Sequence, residues 1–327
     1  MAEAHVRVAL ALAALPGVGR RRLRLLLARA AGLRIGSPGE LEEFVTRRAA
    51  DVKLRLASPG VWDQAWRKAD ELARVCRRRR WRIWALGAPD FPSRLARLDD
   101  PPALLFVHGQ DQPAERTRLA VIGTREPSPW GLETAGLSAA AAARAGSIVV
   151  SGLAWGIDTA AHEAVVAQGG CTWAVLPASL DIIFPPSNAA LATRIVEAGG
   201  ALISEYFPGT RPHPTFFVER DRLQAALSDV VLVIETGLAG GTMHTVRFAR
   251  ELGLPLHVTW PSNIDLAAVA RVEDLPETQQ GPWTLIRAGA RRVSSEEVPS
   301  VLEALDAGRS RVHAAEPAAD QGRLFHR

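Results

Sequence analysis

Residues Ser147–Leu176 read SIVVSGLAWGIDTAAHEAVVAQGGCTWAVL. The run opens on consecutive apolar residues and breaks on Gly152 and Gly156. It continues through small residues around Asp158 and His162, then ends in a second apolar run before Pro177. Near-continuous apolar runs of this length mark strands buried on both faces. Strand, glycine loop, helix and strand in that order make a βαβ unit. The alternation repeats on either side, with RLAVIGT before it and ALISEYF, DVVLVIET and LPLHVTW after it, each separated by helical stretches. The prediction is an α/β fold with a doubly wound, mostly parallel sheet and right-handed crossovers. Ligands of such sheets sit at the carboxyl ends of the strands, which is where these glycine loops fall.

Outward from that core the chain divides into zones. Residues 1–60 read as a helical domain. Leu23, Leu26, Leu27 and Ala30 recur at helical spacing, arginines fill the positions between them, and Pro16-Gly-Val-Gly19 makes a turn ahead of them. Residues 61–115 read as a connecting segment packing on the core, 116–306 as the strand–helix core, and the Ala-, Arg- and Pro-rich residues 307–327 as a disordered tail. Too few residues follow Val293 for a further C-terminal winged-helix domain. The chain has 327 residues, 47% hydrophobic and 23% charged, as in ordinary globular proteins. No apolar run reaches a membrane span, and the first residues lack a signal-peptide layout, so the expected location is cytoplasmic. Cys76 and Cys171 are too few for a disulfide framework or a zinc site, and neither metal nor cofactor is expected. The net charge is only +4, but lysine occurs only at Lys53 and Lys68, so arginine carries the positive side. Its planar fork bonds two phosphate oxygens at once.

Five strand-end stretches carry candidate chemistry. VIGTR offers Gly123, Thr124 and Arg125 to a phosphate. In the opening stretch Gly152 and Gly156 leave room near a helix start. Asp158 falls where a carboxylate meets the helix dipole, and His162 lies one turn further along. With no nucleophile elbow nearby, capping and packing explain that pair better than acid–base catalysis. LPASLDIIFPPSN reads as a packed loop with Ser187 or Asn188 capping the next helix. GTRPHPTFFVERDR, residues 209–222, interleaves arginines with Phe216 and Phe217, the combination that tracks a single-stranded backbone and stacks its bases. ETGLAGGTMHT opens a helix on Gly240, Gly241 and Thr242, the strongest local anion signal. The lysine that a P-loop needs is missing, which argues against ATP hydrolysis.

Taken in succession these motifs, together with PDFPSRLARLDDPPALLFVHG and LIRAGARRV, resemble the DNA-processing protein A (DprA/Smf) family over residues 90–300. The resemblance implies an extended Rossmann-like core and a small N-terminal domain of SAM-like or helix–hairpin–helix-like type. It implies a homodimer that binds single-stranded DNA, protects it and helps load RecA recombinase in natural transformation, with no catalytic step. Carried onto this chain, the DNA-facing residues are Gly123, Thr124, Arg125, Gly152, Trp155, Gly156, Asp158, Phe217, Arg220, Arg222, Gly240, Gly241 and Thr242. The chain departs from the family in Asp221, where an asparagine is usual, and in Trp155, where an arginine is usual. The alternative is a nucleotide-binding sensor or an enzyme cleaving nucleoside monophosphates; the glutamate that such enzymes place near their glycine loop is missing here.

Overall fold

The computed structural model describes residues 2–48, 60–110, 112–113 and 115–315. Among them, four helices come first: α1 (Ala2–Ala14), α2 (Arg20–Ala30), α3 (Pro38–Thr46) and α4 (Val61–Arg78). Strands β1 (Trp81–Ala85) and β2 (Leu104–Gly109) follow. The alternating part runs β3 (Arg118–Ile122), α5 (Pro129–Arg144), β4 (Ile148–Ser151), α6 (Ile157–Ala167), β5 (Thr172–Val175), α7 (Ala189–Glu197), β6 (Ala201–Ser204) and α8 (Pro214–Ala226). It ends with β7 (Val230–Val233), α9 (Gly241–Glu251), β8 (Leu256–Val258), α10 (Glu277–Arg287), β9 (Arg291–Arg292) and α11 (Val298–Ala315). These nine strands join one sheet in the order β1-β2-β6-β5-β4-β3-β7-β8-β9. From β6 to β9 the pairing is parallel, and β1 and β2 pair antiparallel at the β6 side. The doubly wound, mostly parallel sheet expected from the sequence is present.

Residues 61–115, expected to connect the zones and pack on the core, supply a core helix and two strands of the sheet. On α4, Trp62, Ala65, Trp66 and Ala69 recur at helical spacing and join Val8, Leu12, Leu26 and Leu41 in one core. Each large apolar side chain of this kind contributes about 1.5–3 kcal/mol when fully buried, and without α4 that core would lie open. β1 and β2 then extend the main sheet. The expected stripe of α2 is the buried one, namely Leu23, Leu26, Leu27 and Ala30. At the other end α11 continues to Ala315, so the segment expected to be disordered from 307 begins as helix; residues 316–327 lie outside the described residues.

The alanine run of α5 has a packing reason. Ala135, Ala139 and Ala142 are fully buried against Ala161 and Val165 of α6. Small residues on both helices let them lie close above β3 and β4. No helix among the described residues is long and apolar enough to cross a membrane.

Candidate nucleic-acid interface

The sheet reverses its winding at β3. From there the chain builds β4, β5 and β6 to one side and then returns to place β7 and β8 on the other. The crevice beyond the carboxyl ends at such a point is the usual ligand site of this architecture. Here it is a cleft of about 420 Å³. It gathers Gly123, Thr124, Arg125, Asp158, Phe217, Arg220, Gly240, Gly241 and Thr242, all expected from the sequence. Gly152 and Trp155 border an adjoining recess with Phe184. Gly156 and Arg222 are in neither.

The three glycine turns look alike in sequence but are not equivalent. After β3, Ser128 caps α5 by accepting from Gly131 N (3.1 Å). Glu235, at the end of β7, accepts from Ser128 N (2.8 Å) and Ser128 Oγ (2.7 Å), and also from Gln279 Nε2 (2.7 Å). A Cβ on Gly131 would collide with Glu235 Oε2. A carboxylate therefore already occupies the dipole end of α5. This corrects the phosphate-cradle reading of the first turn: what it offers is the side chains of Thr124 and Arg125.

After β4, Asp158 Oδ2 accepts from Gly152 N (3.1 Å) and Ala154 N (3.3 Å), and Ile157 N donates to Thr124 O (3.2 Å). That turn is likewise closed on itself. After β7 the situation differs. Helix α9 begins at Gly241 with no side-chain cap, behind Gly240 at φ +110°, and both glycines are exposed. With no side chain capping it, this helix start is the one of the three turns left open to an anion.

The remaining glycines serve close approach. A Cβ on Gly123 would sit 2.5 Å from Ile157 Cγ1, and one on Gly156, at φ +79°, 2.5 Å from Thr124 O. A Cβ on Gly152 would overlap the Arg220 guanidinium. Leu153 holds φ +59° while fully buried, a strained position for a branched side chain. Its carbonyl accepts from Asn188 Nδ2 (3.0 Å). Asn188 and Ser187, expected as helix caps, tie the third loop to the second instead, because Ser187 Oγ accepts from Trp155 Nε1 (3.0 Å).

The floor is a buried polar network on α8. Arg220 Nη1 donates to Val175 O (2.9 Å), and its Nε lies 3.1 Å from Asp221 Oδ1. Gln224, with its amide turned to donate to Asp221 Oδ1 (3.2 Å), accepts from Gly152 N (2.8 Å). Asp221 Oδ2 has no hydrogen-bond partner. Burial, with Asp158 nearby, pushes the Asp221 carboxyl up to about 7 against the pull of Arg220 and Arg125. Burial also raises Asp158, which Arg220 and the hydrogen bonds from Ser151, Ala154 and Gly152 partly offset.

His162 lies beneath and does not pair with Asp158. Its Nδ1 is 2.7 Å from Thr172 Oγ1. That hydroxyl donates to Val149 O, so Nδ1 carries the proton. Burial and the Arg220 charge push His162 down to about 3.

Two features extend the site and one falls away from it. Arg125 is exposed, with its guanidinium 5.0 Å from the centre of the Phe217 ring. Phe217 meets Phe184 edge-on at 5.6 Å, and Phe184 meets Trp155 at 6.4 Å. Arg222, by contrast, is buried and paired with Glu205 (2.5 Å). Beside it Arg20 of α2 reaches Glu219 (2.6 Å), which Tyr206 Oη also contacts (2.7 Å). Arg222 thus belongs to the seam that docks the N-terminal helices, which corrects its assignment to the DNA face. Sequence reasoning missed Phe184, Gln224 and Glu235. The only signals were the aromatic ahead of Pro185-Pro186 and a lone carboxylate closing an apolar strand.

Residues 82–306 match the family model described as DNA recombination-mediator protein A, a span that opens inside β1 and closes inside α11. Protein Smf of Escherichia coli is 34% identical over 223 residues, 67% of this chain and 55% of that protein. The X-ray structure of DNA processing protein A from Streptococcus pneumoniae superposes with a TM-score of 0.67 at 25% identity, covering 89% of this chain and 94% of that one. The structure of DNA processing protein A from Helicobacter pylori, which describes that protein's single-stranded DNA binding mode, gives 0.58 at 28% identity, covering 68% and 96%. The chain spans about half the length of several curated relatives that it matches.

Proposed function

Since the chain belongs to the DNA recombination-mediator protein A family, we propose that it is a cytoplasmic binding protein for single-stranded DNA in recombination, not an enzyme. In this reading it protects incoming single strands and passes them to RecA recombinase, working as a homodimer. One observation carries the DNA-binding part: an exposed arginine seated on an aromatic ring and an uncapped helix N-terminus face the same cleft. A phosphate fits the second, while the first combines charge with a surface for a base. The single-stranded DNA binding described for the H. pylori relative supports the same reading.

The test is binding of single- and double-stranded oligonucleotides of equal length across a salt series. Single strands bind more tightly, and log K falls with log salt. Arg125→Ala weakens binding to every sequence and reduces the slope by about 0.7, the share of one phosphate contact on a single strand. An unchanged slope would remove Arg125 from the DNA path.

A further inference from the structure

Trp155 borders the recess that adjoins the cleft and is 53% exposed. Its single polar atom is already used, since Nε1 donates to Ser187 Oγ at 3.0 Å. Phe184 lies beside it, with 6.4 Å between ring centres and a 46° tilt. What remains outward is therefore π surface with no unmet hydrogen bond. The ring is also held in place. Ser187 precedes Asn188, whose side chain is bonded to Leu153 O and Thr159 Oγ1, so the indole's anchor is fixed to the loop that carries the indole. A ring fixed before binding loses little conformational freedom on contact.

Position identifies the occupant. Arg125, Ala154, Phe217 and Arg220 border both the main cleft and the recess at Trp155, so the ring stands next to whatever the cleft holds. We propose that Trp155 is a base-stacking platform: a nucleobase of the single strand whose phosphates lie in the cleft rests on its outward face. This rests on the single-strand reading above and deepens it. Only an unpaired strand can offer a free base face there, because the bases of a duplex are stacked on one another. Stacking releases no counterions, so this contribution does not vary with salt, unlike that of Arg125.

The experiment compares the unsubstituted chain, Trp155→Ala and Trp155→Phe. Each is titrated across a salt series with oligodeoxyadenylate and with an abasic oligonucleotide of equal length, which keeps the phosphates and lacks the bases. Trp155→Ala weakens the base-bearing strand about tenfold at every salt concentration with the slope unchanged. Trp155→Phe, which keeps a ring but not the bond to Ser187, retains most of the affinity. The abasic strand binds all three proteins alike. Equal binding of oligodeoxyadenylate by Trp155→Ala and the unsubstituted chain overturns the platform, as does an equal loss for both strands. If the unsubstituted chain shows no salt-dependent binding of either strand, the reading of the cleft itself fails, and the platform with it.

Discussion

Replacing Asp221 by asparagine removes one negative charge from the cleft floor while keeping size and shape. The carboxyl is moved from its ordinary 3.8 to about 7, chiefly by burial. Between those values the folded chain holds a proton that the unfolded chain has released, so stability falls as pH rises through that window. Above it the ionised carboxylate costs about 4 kcal/mol relative to its neutral form. The asparagine amide resembles that neutral form at every pH. The variant therefore matches the parent near pH 4, gains on it steadily to pH 7 and stays ahead by about 4 kcal/mol beyond that. This corresponds to a Tm higher by roughly 8 °C. His162 acts in the opposite sense, losing stability as pH falls from 6.5 towards about 3, but it is common to both proteins and cancels in the difference. Thermal unfolding of the pair at pH 5, 7 and 9 measures the gap. The same charge acts on DNA: at an effective dielectric of about 20 and roughly 8 Å, after screening, it opposes a phosphate by about 1 kcal/mol. Single strands then bind the variant about fivefold more tightly at pH 8 and equally at pH 5. A stability gap independent of pH, or a variant less stable than the parent at pH 9, would refute the account of Asp221 as a buried, proton-holding carboxyl.

Further substitutions separate packing from binding. Arg222→Ala leaves Glu205 buried without its partner and lowers stability by about 3–5 kcal/mol in denaturant unfolding, while the folded protein binds single strands as before. Gly156→Ala forces a positive φ on a residue whose Cβ meets Thr124 O at 2.5 Å, and lowers stability by about 2–4 kcal/mol. Gly241→Ala has only Asp221 Oδ2 near, at 3.7 Å. It stays within about 0.5 kcal/mol of the parent but binds single strands less tightly, because a methyl group stands at the open end of α9.

Period and apolar runs carried the architecture. The strands of the core needed no partner outside their own βαβ units to be recognised, and the stripe on α2 is visible in Leu23, Leu26, Leu27 and Ala30. What the sequence could not show were the long-range assignments. The pattern of Trp62, Ala65, Trp66 and Ala69 says helix but not which core the helix completes. Arg220 and Arg222 are two positions apart and so point to different sides of α8. One meets Val175 O under the cleft and the other Glu205 at the seam, although both read equally well as phosphate ligands. Ser187 and Asn188 have the chemistry of caps, and the strained loop at Leu153 and Trp155 competes successfully for their side chains.

The glycine turns make the same point about function. A helix start after a glycine attracts an anion whatever its source, and in two of the three turns the source is the chain itself: Glu235 at α5 and Asp158 beside α6. Of the three, α9 alone is left for a ligand. The charge balance of the cleft follows from this. Asp158, tied to backbone N–H groups, and Arg220, tied to Val175 O, both lie in the floor, where the Arg220 charge favours the ionised Asp158 against the opposing pull of burial. The positive excess offered to an anion then comes from exposed Arg125 and the end of α9, reduced by whatever fraction of Asp221 is ionised. With that carboxyl at about 7, a change of one pH unit around neutrality alters the net charge of the floor by a substantial part of one unit. A phosphate entering the cleft raises the proton affinity of Asp221 further, since it adds a like charge nearby. If the cleft binds single-stranded DNA as proposed, binding draws a proton onto Asp221, and the affinity weakens as pH rises through neutrality even where no group on the DNA titrates.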